Sequence, residues 1–169
     1  MLILVVHVIV LLLWFNCVLL VKLFLHILNF IGVILTNSIH LSLDAMGGDN
    51  APQIIVDGAA QSKIRYPDVK FSFFGNKNKL FPLVSSIKTL KDSQIIHTDE
   101  IIGANQKPSI AIRKGKNSSM GLAIQSVKTG QTDAIVSAGN TGALMAMTKL
   151  FLRPIEGITR PAIAAYFPT

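Results

Sequence analysis

Apolar residues fill Leu2 to Val21 with only His7 and Asn16 among them, and after Lys22 the apolar run resumes from Leu23 to Leu35. Twenty uncharged residues in a row are long enough to cross a bilayer as a helix. Beyond Thr36, Asn37 and Ser38 the pattern changes. Ile39 to Asp44 (IHLSLD) alternates apolar and polar, the period of a strand. MGGDNAP then reads as a loop: the paired glycines give unusual backbone angles, and Asn and Asp bond locally. Pro52 suits the first turn of a helix over Gln53–Arg65, with Ile54, Ile55, Gly58, Ala59 and Ser62 on its buried side. Tyr66-Pro67-Asp68 is a turn and Val69–Gly75 a second strand. Asn76–Leu90 is a helix by the spacing of Leu80, Leu83, Val84 and Ile87.

Gln94–Thr98 is a third strand, and Asp99–Lys107 a loop. Pro108 opens a short helix, and Ser118 caps another, with Met120, Ala123, Ile124 and Val127 at i, i+3, i+4 and i+7 until Gly130 stops it. Ala134–Ser137 is a fourth strand, Gly139–Gly142 a tight loop, Ala143–Leu152 a helix, and Pro161–Phe167 a fifth strand just before the sequence stops. Strands alternating with helices predict an α/β fold: three layers, α/β/α, around a mostly parallel doubly wound sheet. A stop just after a strand, with no helix following, suggests a fragment.

Composition sharpens this division. Residues 1–43 hold one formal charge, Lys22, besides His7, His26 and His40, whereas residues 44–169 hold all nine acidic side chains and a net charge of +6. A modest basic excess favours acidic partners: phosphate, phosphorylated metabolites, an acidic carrier protein or an anionic membrane. The Lys and Arg residues are scattered rather than blocked, which points away from nucleic acid. The single cysteine, Cys17, lies in the apolar segment; an intrachain disulfide, a Cys-rich zinc site and a Cys nucleophile in the polar part are thereby excluded. No basic stretch precedes the apolar segment and no small-residue cleavage site follows it, so a cleaved signal peptide is not expected. It is either a membrane anchor or the product of a start site placed too far upstream.

Ligands of open α/β sheets sit beyond the carboxyl ends of the strands. Three segments qualify. In SAGNTGAL (137–144) a strand enters a Gly-rich turn and then a helix, so backbone N–H groups can converge on an anion. Gly139, Asn140, Thr141 and Gly142 are therefore either a phosphate or oxyanion cradle or a plain strand-to-helix turn. The turn lacks a P-loop lysine and the dinucleotide-binding glycine spacing. The segment 107–120 offers Ser109, Arg113, Lys114, Lys116, Ser118 and Ser119, either as phosphate contacts or as an exposed basic turn with two helix caps. Asp44 and Asp49 flank Gly47 and Gly48; they could orient a ligand, hold a metal or cap helices, but their spacing indicates no particular metal. No G-x-S-x-G elbow supports a hydrolase triad, and His97 reads as structural.

LDAMGGDNAP, KPSIAIRKGKNSSM, SAGNTGALMA and GITRPAIAAYFPT, in this order and spacing over Ile39–Thr169, resemble the bacterial phosphate acyltransferases of phospholipid synthesis (PlsX). The resemblance implies an acyltransferase that turns acyl-[acyl carrier protein] and inorganic phosphate into acyl phosphate and free carrier protein. It implies a sheet similar to phosphotransacetylases and isocitrate-dehydrogenase-like enzymes, no cofactor, no metal, a homodimer, and a cytoplasmic protein peripherally associated with the membrane, feeding a glycerol-3-phosphate acyltransferase there. On this resemblance Gly139, Asn140, Thr141 and Gly142 hold the anion. Ser109, Arg113, Ser118 and Ser119 are candidates to contact phosphate or phosphopantetheine. Asp44, Gly47, Gly48, Asp49 and Asn50 shape the adjoining loop, and Arg160 either adds a positive contact or pairs with a carboxylate. The catalytic candidates are Asn140, Thr141 and Arg113, and no catalytic base is identified.

Members of that family begin near the first strand and run to about twice the length of residues 38–169, with later motifs absent here. The expectation is thus an extension over 1–37 and the amino-terminal part of the acyltransferase domain over 38–169, poorly stable or inactive alone. Two other readings stand beside it: phosphotransacetylase-like transfer between coenzyme A thioesters and phosphate, and an inactive, membrane-tethered remnant that only binds anion or carrier protein.

Overall fold

The computed structural model describes residues 38–158 and Ala162; the segment 1–37, Arg160 and, apart from Ala162, the strand expected over 161–167 lie outside the described residues. Four strands form one parallel sheet: β1 (His40–Asp44), β2 (Lys70–Gly75), β3 (Gln94–His97) and β4 (Ala134–Ser137), in the order β3-β2-β1-β4. Among the described residues five α-helices accompany them, four in the connections and one after β4: α1 (Gln53–Arg65), α2 (Lys77–Ser86), α3 (Pro108–Lys114), α4 (Ser119–Lys128) and α5 (Thr141–Phe151). Parallel neighbours need crossovers, which is why a helix follows each strand and covers a face of the sheet.

Strand register sorts side chains between the two faces. Leu43 lies beside Phe73 and Val136, and Leu41 beside Phe71 and Ala134. On this face Leu43, Ala45, Phe71 and Phe73 pack with Val56 and Ala59 of α1, Leu80 and Val84 of α2, and Leu90. The opposite face carries a second core of Ile102, Ala111 of α3, Met120 and Ile124 of α4, and Ala143 and Met147 of α5, with Ile135 of β4 against it. The protein is therefore a three-layer α/β/α sandwich with a doubly wound sheet. Ser42 points into the second layer, fully buried, its Oγ 3.0 Å from the Ala134 carbonyl and 3.1 Å from that of Ala123.

Two elements differ from expectation. Helix α1 has the expected ends, and Ile55 and Ala59 pack inward as expected together with Val56 and Ala60, but Ile54 is 53% exposed and Gly58 and Ser62 face solvent. Val56, Ala59, Ala60 and Lys63 follow i, i+3, i+4, i+7, and small residues let the helix approach the sheet closely; Lys63 ends the stripe by donating from Nζ to the Val69 carbonyl. The helix expected over Asn76–Leu90 stops at Ser86. The Ser85 and Ser86 hydroxyls donate back to the carbonyls of Pro82 and Leu83, Ile87 turns extended, and a 3-10 turn over Lys88–Leu90 drops Leu90 into the core.

Gly121 in α4 sets two opposing effects against each other. Alanine is favoured over glycine inside a helix by about 1 kcal/mol. A Cβ at Gly121, however, would run into the carbonyl oxygens of Gly115 and Lys116, backbone atoms that cannot rotate aside. Overpacking of this kind costs about 3 kcal/mol. Gly121→Ala is expected to destabilise by about 2 kcal/mol net, read as a lower urea midpoint at unchanged slope.

Candidate anion-binding site

The chain passes outward from β1 through β2 to β3 and then returns to place β4 on the other side of β1. The loops after β1 and β4 therefore diverge, and a crevice opens between them at the carboxyl ends of the strands. It is a cleft of about 480 Å³. Its walls are Met46, Gly48 and Asp49 after β1, Ile101–Ala104 after β3, and Ala138–Thr141 after β4. Among these lining residues Asp49 brings the only formal charge.

The β1 and β4 loops meet glycine to glycine. A Cβ on Gly47 would lie 2.5 Å from Asp44 Oδ2 and 3.0 Å from the Gly139 nitrogen, and a Cβ on Gly139 would lie 3.2 Å from Gly47 Cα. Gly48 takes φ +104° against the Ala138 carbonyl, a backbone open to glycine at little cost. Beneath this contact Asp44 is 2% exposed. Its Oδ2 accepts from Ser137 Oγ at 2.7 Å, and Ser137 Oγ in turn accepts from the Gly139 N–H at 3.1 Å. Among the described residues the buried Asp44 Oδ1 has no hydrogen-bond partner.

Asn140 divides its amide between two tasks. Its Oδ1 caps α5 by accepting from the Ala143 N–H at 2.9 Å. Its Nδ2 lies 2.8 Å from the Gln106 carbonyl, 2.9 Å from that of Ala104 and 3.2 Å from that of Gly103. The side chain thus pins the loop after β3 as one wall of the cleft. The following N–H groups, those of Thr141 and Gly142, open α5 and have no acceptor inside it, so the positive end of the helix faces the cleft beside exposed Thr141.

The structure brings together some of the expected site residues and separates others. Gly48, Asp49, Gly139, Asn140 and Thr141 line the cleft, with Asp44 and Gly47 directly below. Gly142 lies in the first turn of α5 against Pro108. Asn50 lies outside the lining and accepts from the Ile54 N–H as α1 begins. Ser109 and Arg113 are exposed on α3, which packs against α5 but does not line the cleft. Ser118 is buried as the cap of α4, donating to the Gly115 carbonyl and accepting from the Gly121 N–H; buried Ser119 donates its N–H to the Glu100 carbonyl. Arg160 lies outside the described residues. Two contributors escaped sequence reasoning: Ser137, which opens the SAGNTGAL segment but has no role assigned there, and the Ile101–Ala104 wall, for which a strand-end position was the only available signal.

A doubly wound α/β domain has its ligand crevice at the switch point, and here glycines and the N-terminus of α5 line it. A family model described as "Fatty acid synthesis protein" matches residues 39–169. The chain is 48% identical over 136 residues to a phosphate acyltransferase of Rhodospirillum rubrum, covering 80% of this chain and 39% of that protein. It is 47% identical over 133 residues to one of Azorhizobium caulinodans (78% and 38%), and 50% identical over 133 residues to one of Beijerinckia indica (78% and 34%). The chain belongs to the fatty acid synthesis protein family, that of the bacterial phosphate acyltransferases. It spans less than two-fifths of the length of these relatives.

Proposed function

We propose that this chain supplies the phosphate-binding part of an acyltransferase acting in phospholipid synthesis, which converts acyl-[acyl carrier protein] and inorganic phosphate to acyl phosphate and free carrier protein. The observation that carries the reading is the Gly139–Gly142 turn at the β1/β4 switch point, where the N-terminus of α5 opens onto the cleft. In the reaction a phosphate oxygen attacks the thioester carbonyl carbon, the carbon–sulfur bond breaks and the thiolate leaves. Positioning the dianion and stabilising the developing oxyanion are the protein's tasks. Thr141 and Gly142 hold the anion through their N–H groups, Asn140 fixes the turn and the opposite wall, and Gly47, Gly48 and Gly139 allow the loops to touch. Asp49 and Asn50 shape the rim of the first loop, and Ser109, Arg113 and Arg160 are assigned to the acidic carrier protein and its phosphopantetheine arm.

In this reading residues 38–169 are the amino-terminal part of the acyltransferase domain and residues 1–37 a separate extension. The complete enzyme is a homodimer at the membrane surface, passing acyl phosphate to a glycerol-3-phosphate acyltransferase. Among the described residues no helix is long and apolar enough to cross a membrane.

The test is titration of the folded 169-residue protein with inorganic phosphate, followed by incubation with acyl-[acyl carrier protein] or acyl-coenzyme A. Saturable phosphate binding that Gly139→Val abolishes is the expected result. A folded protein indifferent to phosphate overturns the reading. Phosphate-dependent turnover of the coenzyme A ester alone moves the activity to phosphotransacetylase-like chemistry.

A further inference from the structure

Resting on that reading, we propose that Asp44 and Ser137 are positioning residues that set the direction of the Gly139–Gly142 turn, and so the cleft's affinity for phosphate, without touching the anion. Asp44 ends β1, Ser137 ends β4, and the two strands are paired with Asp44 opposite Ser137. The carboxylate accepts a hydrogen bond from the Ser137 hydroxyl at 2.7 Å, which fixes the hydroxyl rotor. A lone pair of Ser137 Oγ is then aimed at the Gly139 N–H, 3.1 Å away. A hydroxyl free to rotate could donate elsewhere and release that N–H; the buried carboxylate prevents it.

The consequence is a division among consecutive N–H groups. Gly139 is committed downward to Ser137, Ala143 is committed to the Asn140 cap, and Thr141 and Gly142 between them are left without an acceptor inside α5, with Thr141 on the cleft wall. The space below the turn is arranged for this relay, since a side chain on Gly47 would strike Asp44 Oδ2. Hydrogen bonding within the protein does not explain the whole carboxylate, because Oδ1 is buried without a partner among the described residues. A buried carboxylate oxygen left without a partner at a strand end calls for an explanation, and the relay through Ser137 gives this side chain a positional role.

The experiment compares Ser137→Ala, Ser137→Thr and Asp44→Asn in the 169-residue protein. Inorganic phosphate is the probe, and the Gly139 amide is followed by ¹⁵N NMR, which also shows that each variant is folded. Ser137→Ala is expected to weaken phosphate binding about tenfold, the loss of one charge-assisted hydrogen bond. Its Gly139 amide exchanges faster even without phosphate. Ser137→Thr, which keeps the hydroxyl, restores both, and Asp44→Asn reproduces the defect of Ser137→Ala in part. Wild-type affinity in Ser137→Ala, or a Thr variant as weak as Ala, overturns the inference. A wild-type protein that ignores phosphate sinks the functional reading instead, while the Gly139 exchange rates still report whether the relay exists.

Discussion

Asn140→Asp is expected to release the wall of the cleft while leaving the cap of α5 in place. Asp and Asn cap helices about equally well, and a carboxylate at a helix N-terminus gains about 0.3–1 kcal/mol from the dipole. The oxygen that replaces Nδ2, however, faces the carbonyl oxygens of Gly103, Ala104 and Gln106, all within 3.2 Å of the amide nitrogen. The two N–H groups of the amide, shared among the three carbonyls and worth about 1 kcal/mol each, are lost, and repulsion between the carboxylate and the carbonyl dipoles adds about 1 kcal/mol more. The dipole gain is too small to compensate. The loop after β3 is expected to open about 3 kcal/mol more easily, close to a hundredfold increase in amide exchange, at Gly103 and Gln106, whose N–H groups close the loop upon itself. Hydrogen-exchange mass spectrometry reads this directly. Asn140→Ala, lacking the cap as well, should loosen α5 in addition. If Asn140→Asp leaves exchange over 101–106 unchanged, the side chain is a cap and nothing more.

That dual role also marks the limit of what the sequence discloses. An asparagine just before Thr-Gly-Ala at the head of an apolar helix is legible as a cap, because the acceptor and its N–H are three residues apart. The three carbonyls that the same side chain holds are 34 to 37 residues away, and no local pattern connects them. The four strands were legible to within a residue or two because alternation and flanking Gly and Pro residues report locally. The α2 break at Ile87 was hidden because Leu83, Val84 and Ile87 keep helical spacing whether or not the backbone continues. For Ser118 and Ser119 two readings compete in the sequence, phosphate contacts and helix caps, because hydroxyls beside Lys and Arg suit an anion while Ser118 also stands where a cap belongs, and the structure shows Ser118 as the cap. Their burial follows instead from α4 packing on β1 and β2, a long-range fact. The switch point itself is topological: it exists only because β4 pairs with β1, and strand order is not written in any one segment.

Strand order also governs the largest expected loss of stability, that of Phe73→Ala. Phe73 sits in β2, which lies between β1 and β3, and its side chain is fully buried. It meets the tilted ring of Phe71 at a centroid distance of 6.4 Å and packs with Leu43, Val56, Leu80 and Leu90. Nothing nearby can collapse into the vacated space, because both strands and both covering helices are fixed by their own contacts. A loss of about 4 kcal/mol is expected, within the range for buried Phe→Ala and a large part of the 5–15 kcal/mol that holds an ordinary domain together. Phe74, the next residue, provides the control. It is almost as buried, but it faces the other layer and lines an open cleft of about 530 Å³ between the sheet and α4, with His40, Ser72 and Ser126. Truncating Phe74 enlarges a space that water already reaches, so the cavity penalty is small and about 2 kcal/mol is expected. The two single variants have identical chemistry and adjacent positions, so they share their effect on the unfolded chain. The gap between their urea midpoints then measures the difference between the closed layer under α1 and α2 and the open one under α4. Equal losses would mean that the α1/α2 layer is not the tighter core.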